Sequence, residues 1–378
     1  MLLRPAVAAA ALAACGCVGA QPPFLVDDVK DETLSFPVAA STPPVPEPPV
    51  PAEPTRDWVK LTSGEWLRGA LVRIRSDRLE FDSDKLGSVT VALSDVETLC
   101  TVEEQAVVTG DDRGLRGRVV LRGDDLWIEG ERTVQLERDA LFAALALHDG
   151  RAVDWSGEVT VGATARSGNT SQNDFSGYAE LLRESARTTW RSTYNGVASR
   201  AGGVETANNH RLRSIRDVFL TRRMFVTAPS VDAYRDRLQN IDVRLVAGAA
   251  VGYQVVDDGK HRWKVGAGPA YQFTRFRAPA EGEDGSEEAL AAALRSEYGW
   301  DLTDDVTLGL DYLLNVAVDD ADDYNHNLVA RVSVDLIGAL TLDVVFVWDR
   351  VNRPNARADG TVPGADDFRT TVGLGWSF

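Results

Sequence analysis

Hydrolytic chemistry needs a nucleophile, a base and an orienting partner brought to one level of a fold. The chain has 378 residues and four histidines, His148, His210, His261 and His326, spread over separate segments. His210 lies near Ser214, but both fall in one alternating stretch, so they sit along a strand rather than across a pair. His326 lies at the edge of a loop. No catalytic set assembles and no cofactor motif is present, which makes an enzyme the remotest reading. Asp319, Asp320, Asp322 and Asp323 crowd one loop. Hard cations take carboxylate oxygens at such spacing, but the pattern is not a calcium loop, and a solvated acidic loop is the plainer account. Ser167-Gly168-Asn169-Thr170 would serve as a ligand loop or, more simply, as a tight turn that uses Gly and Asn for positive φ.

The ionisable residues are more informative as a face than as a cluster. Phe368, Thr370, Val372, Leu374, Trp376 and Phe378 alternate with Arg369, Thr371, Gly373, Gly375 and Ser377. The same two-residue period runs through Leu340–Trp348, Leu328–Leu336 and Val306–Leu314. One set is apolar and ends in aromatics; the other is polar or glycine. That is the pattern of a strand with lipid on one side and a lumen on the other. About twelve such segments fit between 155 and 378, an even number as single-chain bacterial barrels require. Those at 173–184, 206–219 and 224–234 are the weakest, because Arg and Ala break their apolar faces and Pro229 lacks a ladder donor. Connections after the even-numbered segments are short, and those after the odd-numbered ones tend to be longer. This polarity puts both barrel ends on the periplasmic side. The lumen face is then predicted to carry Glu158, Arg166, Arg191, Asp242, Arg244, Lys264, Arg295, Glu297, Asp311, Arg331, Asp335, Asp343, Asp349 and Arg369. Opposite charges in a narrow barrel must pair, since an unpaired buried charge costs several kcal/mol.

No run of about 18 apolar residues exists to make a membrane helix, and this says nothing against strands. The net charge of −17 speaks against a nucleic-acid partner, which would need clustered Lys and Arg. Residues 1–20 read as an export signal, with Arg4 ahead of an apolar stretch. Two processing sites compete: small residues at Val18-Gly19-Ala20, and a lipobox, Leu12-Ala13-Ala14-Cys15, that would place a lipid on Cys15. Residues 21–55 are dense in proline and form an extended or disordered spacer. Cys100 is the single thiol of the globular part, so no disulfide framework forms there.

Residues 56–150 hold a weak internal repeat. Leu67-Arg68-Gly69, Asp77-Arg78-Leu79-Glu80-Phe81 and Val89-Thr90-Val91 are echoed by Leu115-Arg116-Gly117, Asp124-Asp125-Leu126-Trp127-Ile128 and Val134-Gln135-Leu136. Short alternating strands between Gly/Asp turns predict a small, strongly bent β-module of SH3 or Sm type, with the two copies packed together. Asp139–Leu147 is expected to be a short helix leading into the barrel. The fold class is therefore all-β: an antiparallel transmembrane barrel over 151–378 behind a small two-repeat periplasmic module.

Trp155-Ser156-Gly157, Ser167-Gly168-Asn169-Thr170, Ile241-Asp242-Val243-Arg244 before Gly248 and Gly252-Tyr253, Leu302-Thr303-Asp304, the Pro354 loop and Gly373-Leu374-Gly375-Trp376-Ser377-Phe378 occur in that order. Together they resemble the salt-induced outer-membrane protein family, a domain of unknown function, over about 150–378. Residues 57–100 resemble the small β-module that often precedes this barrel. The resemblance implies an outer-membrane barrel and brings no activity or catalytic residues. Trp376 and Phe378 match an aromatic ending that resembles the signal read by the barrel assembly machinery. The expected surroundings are outer-membrane lipid and lipopolysaccharide, with a periplasmic partner for 56–150. Two functions follow: a narrow channel whose lumen charges select small solutes, or an anchoring barrel that presents the periplasmic module.

Overall fold

The structure, a computed structural model, describes residues 55–378 except 76, 148–152, 167–171, 259, 283 and 304. The export signal, Cys15, the proline-rich spacer, His148 and the Ser167–Thr170 motif lie outside the described residues.

The N-terminal part is one ten-stranded sheet. Its first half contains β1 (Asp57–Leu61), β2 (Trp66–Arg75), β3 (Arg78–Ser83), β4 (Gly87–Ala92) and β5 (Val96–Cys100). Its second half contains β6 (Gln105–Thr109), β7 (Gly114–Arg122), β8 (Asp125–Glu129), β9 (Thr133–Glu137) and β10 (Leu141–Ala146). A single-turn 3-10 helix precedes the last strand of each half, at Leu93–Asp95 and at Arg138–Ala140. The repeat in the sequence is thus a repeat of five strands. The halves interlock rather than stack: β5 pairs with β7 of the other half, and β10 with β2. Because β1 also pairs with β2, six strands close into a ring in the order β1-β5-β7-β6-β10-β2. Val59, Leu79, Phe81, Leu99, Leu121, Leu126 and Leu141 fill it with essentially no exposure. Gly69 and Gly117 hold equivalent places in the two halves. A Cβ on either would come within 3 Å of the facing strand's backbone, at Asp82 and Glu129. The helix expected over Asp139–Leu147 is instead the 3-10 turn followed by β10. The run is apolar because both faces of β10 are covered, one by the ring core and one by Phe219 and Phe225.

The second part is a closed antiparallel barrel of twelve strands in sequence order. They are β11 (Val153–Arg166), β12 (Gln172–Ser185), β13 (Thr188–Ala201), β14 (Val204–Phe219), β15 (Met224–Asp236) and β16 (Ile241–Asp257). The ring continues with β17 (His261–Phe276), β18 (Ser286–Thr303), β19 (Val306–Ala317), β20 (Tyr324–Ile337), β21 (Leu340–Val351) and β22 (Asp366–Ser377). Val159, Val161, Phe175, Leu181, Leu212, Val251, Leu290, Leu294, Val344, Val372 and Leu374 all point outward and are exposed. An apolar belt of that extent is a lipid-facing surface, and the ring is closed by β22 pairing back onto β11. Trp155, Trp190, Trp263 and Trp376 ring the short-turn end, and Phe175, Tyr324, Trp348 and Phe368 ring the long-loop end. Pro229 causes no break, because the β15 register skips between Thr227 and Ser230, so the proline occupies no ladder position.

Candidate functional site

The lumen is where the charges meet. Its half nearer the short turns is organised around two carboxylates. Glu297 receives Lys264 at 3.0 Å, Arg191 at 3.2 Å and Arg295 at 3.4 Å. Asp217 receives Arg295 at 2.9 Å and Lys264 at 3.3 Å. Arg191 also lies 3.7 Å from Asp311. In a ring of twelve, β13 faces β19 and β14 faces β20, so Arg191–Asp311 spans the full bore. Arg213 spans it again, donating to Asn327 at 2.8 Å from β14 to β20 while holding Asp232 at 3.1 Å. The void left among Arg191, Thr193, Arg213, Ile215, Glu297 and Asp311 is about 10 Å³, room for about one water.

Toward the long loops, Arg211 reaches Asp349 at 3.0 Å and lies over the Tyr234 ring at 4.4 Å. Asp349 also accepts from Asn327 at 2.9 Å and has Arg369 at 3.6 Å. Arg369 bonds Asn209, and Asn209 donates to Asp367 at 3.1 Å. Tyr234, Ile241 and Val351 pack together at that end. Above them the loop 352–365 is tied down: Gln239 donates to the Gly364 carbonyl at 2.8 Å, and Asn240 donates to those of Ala278 and Ala356.

A third group lies where the first and last strands meet. Asp343 is fully buried and accepts from Ser333 at 2.6 Å, Thr160 at 2.7 Å and Thr341 at 3.0 Å. Arg331 bonds Glu158 beside it. Of the remaining residues expected on the lumen face, Arg244 is buried and donates to Thr274 at 3.1 Å. Asp335 is exposed at the short-turn rim, and the side chain of Arg166 is outside the described residues. Asp242 is a correction. A bulge between Ile241 and Val243 turns it to the outer side, where it pairs with exposed Arg275 at 2.5 Å. Period-two counting missed Arg211, Arg213, Asp217 and Asp232. Alternation along β14 separates Asn209, Arg211, Arg213, Ile215 and Asp217 from the outward set, and that was the available signal. For Asp232 the bulge at Ala228-Pro229 reverses the parity.

The other candidates disperse. His210 contacts the Tyr194 hydroxyl at 2.8 Å, while Ser214 accepts from Trp190 and meets Ser192, so His210 and Ser214 do not pair. His326 stands edge-on to Trp348 at 4.4 Å, on the outer face. In the acidic loop, Asp320 and Asp322 are both engaged by Arg353.

The ten-stranded module sits against the short-turn end of the barrel. Arg222, in the turn after β14, donates to the carbonyls of Arg138, Asp139 and Leu141 and to Asp77 at 2.8 Å. Arg187, in the turn after β12, donates to the Thr109 carbonyl and pairs with Asp112 at 2.7 Å, its guanidinium 4.0 Å over Phe142. In the other direction Arg73 and Arg75 reach Glu184, and Arg78 reaches Asp257 at 2.6 Å. Phe142, Phe219 and Phe225 make an apolar contact between module and lumen.

Among solved structures, a NanC porin is similar to 58% of this chain and 98% of its own at 8% identity, with a TM-score of 0.36. The outer membrane channel DcaP of Acinetobacter baumannii is similar over 85% of this chain and 94% of its own at 12% identity, with a TM-score of 0.28. No curated protein matches. The family model described as "Protein of unknown function, DUF481" matches residues 159–378, the barrel from its first paired seam residues to its end. The chain belongs to that family.

Proposed function

We propose that this protein is an outer-membrane barrel plugged by its own side chains, anchoring the module that docks on its periplasmic mouth. The observation that carries the reading is the pair of spans across the full bore, Arg213 to Asn327 and Arg191 to Asp311. A twelve-strand ring is narrow to begin with, and wide aqueous pores use about sixteen strands or more. Here the remaining width is filled by groups whose removal would leave buried charge unpaired. Phe142 against Phe219 and Phe225 adds an apolar stopper below. The short-turn end faces the periplasm in outer-membrane barrels, and the module's position at that end supports a periplasmic placement. Trp376 and Phe378, exposed at the foot of the seam, suit recognition by the barrel assembly machinery, and the acidic outer loop suits the cations that bridge lipopolysaccharide. Planar-bilayer recording of the full chain, after heat-modifiable migration has confirmed a folded barrel, is expected to show no conductance steps. Regular steps from the wild-type protein would establish the narrow-channel reading instead.

A further inference from the structure

The twelve seams of the barrel wall are not equal. β12 pairs with β13 from Gln172↔Ala201 to Glu184↔Thr189, and β17 with β18 from His261↔Trp300 to Arg275↔Ser286. The seam that closes the ring, β11 with β22, runs only from Glu158↔Ser377 to Val161↔Leu374, with Gly157 and Phe378 exchanging two bonds of 2.9 Å below it. Both strands continue past that point. β11 stays paired to β12 up to Arg166, and β22 stays paired to β21 up to Asp366. Among the described residues, the long-loop half of the wall therefore has two facing strand edges with no ladder between them. At the foot of this slot the strands still touch. A Cβ on Gly162 would lie 3.0 Å from the Val372 carbonyl oxygen, and one on Gly373 would lie 2.6 Å from that of Val161. Thr160 bonding Asp343 across β22 fastens the foot.

Unpaired backbone at membrane depth must find another hydrogen-bonding partner. We infer that this slot is a lateral binding site for an acylated amphiphile of the outer leaflet, its chain in the bilayer and its polar head on the lumen side of β22. The walls have the matching polarity. Outward, the slot is flanked by Ala163, Phe368, Val372 and Leu374, the last three more than half exposed. Inward, β22 presents Asp367 and Arg369, already bonded to Asn209 and so near charge balance. The head it fits carries both donors and acceptors, as the free edges do, rather than a bare charge. The bore below is closed by Arg191 and Arg213, so the amphiphile is held and not passed through. The inference rests on the membrane-barrel reading above.

The test uses the full chain in vesicles of phosphatidylethanolamine and phosphatidylglycerol doped with a head-group photoactivatable phosphatidylethanolamine. Mass spectrometry is expected to find label on Asp367, Arg369 and Asn209, and to lose it when Ala163→Cys and Val372→Cys are oxidised to close the seam. Unlabelled phospholipid and purified lipopolysaccharide, added as competitors, identify which source supplies the head. Label confined to outward residues, or unchanged by oxidation, overturns the site. Wild-type hydrogen exchange makes an independent check: the Ala163 and Val372 amides should exchange quickly while those of Val197 and Gly177 stay protected. Equal protection at all four overturns the slot; equal lack of protection overturns the membrane barrel itself.

Discussion

Asp343 is a carboxylate held by hydroxyls. Ser333, Thr160 and Thr341 each donate to it, no cation lies within salt-bridge distance among the described residues, and the space beside it is kept by Gly375, whose Cβ would fall 2.2 Å from the carboxylate. Net of the bonds water would make, a hydrogen bond to a charged group contributes about 1.5–3 kcal/mol, part of which the burial of the carboxylate offsets. Asp343→Ala is expected to cost roughly 3 kcal/mol, read as a lower temperature for the heat-modifiable shift, and Gly375→Val should fail to assemble. The lower lumen makes a sharper contrast. Arg191→Ala takes from Asp311 the cation it pairs with, while Glu297 keeps Lys264 and Arg295, and should cost about 3 kcal/mol, whereas Arg353→Ala, whose partners are the exposed Asp320 and Asp322, should leave the same transition where it is. Sequence placed Arg191, Glu297, Asp311 and Arg295 on the lumen face because their strands alternate cleanly. It misplaced Asp242, since a bulge is a backbone event that no side-chain pattern records.

At the scale of elements, the two 3-10 turns explain how the halves of the chain hold together. Arg138 inserts its guanidinium at the first turn, bonding the carbonyls of Leu93 and Val96. Arg222 of the barrel does the same at the second, on the carbonyls of Arg138, Asp139 and Leu141. The module thus docks on the barrel by the contact that already joins its own repeats. Introduced as a pair, Asp77→Cys and Arg223→Cys, whose native side chains meet tip to tip at 3.6 Å, should be bridged readily by a short bis-maleimide when the other docking arginines are left in place. Adding Arg187→Ala with Arg222→Ala should slow the bridging severely, and an unchanged rate would show that these arginines do not hold the dock. Cys100 does not interfere, because burial raises its thiol above the usual range and keeps it unreactive. Repeat and barrel were both legible as periodicities. The interlocking of β5 with β7 and of β10 with β2 was not, because strand order inside a sheet of short strands leaves no mark on the pattern. β15 is hard to read in the sequence because Ala228 and Pro229 shift its lipid face from Met224 and Val226 to Val231 and Ala233.

For the whole molecule, a plugged lumen and a solvated one respond differently to salt. The Debye length falls to about 3 Å at 1 M, which would weaken charge pairs bathed in solvent. In the plugged barrel proposed above, pairs lying between Phe142 and the 352–365 loop would meet few mobile ions. The heat-modifiable transition is therefore expected to move little between low and high salt, and a marked fall would point to a wet bore. The net charge of −17 belongs to the exterior and loops more than to the bore, where the hubs are balanced.

The short seam also sets an order of events. Every other strand pairing in the barrel joins consecutive strands and closes a loop of modest length, whereas Val161↔Leu374 closes roughly 200 residues. Made directly in the unfolded chain, that contact would cost about 5 kcal/mol of loop entropy, against about 1 kcal/mol for a four-residue hairpin, so it waits until the intervening hairpins have formed. It is the costliest contact to make and is rewarded by the fewest backbone bonds. A curved but open sheet of twelve strands should accordingly be the last species before the native barrel, and the first one reached on the way out.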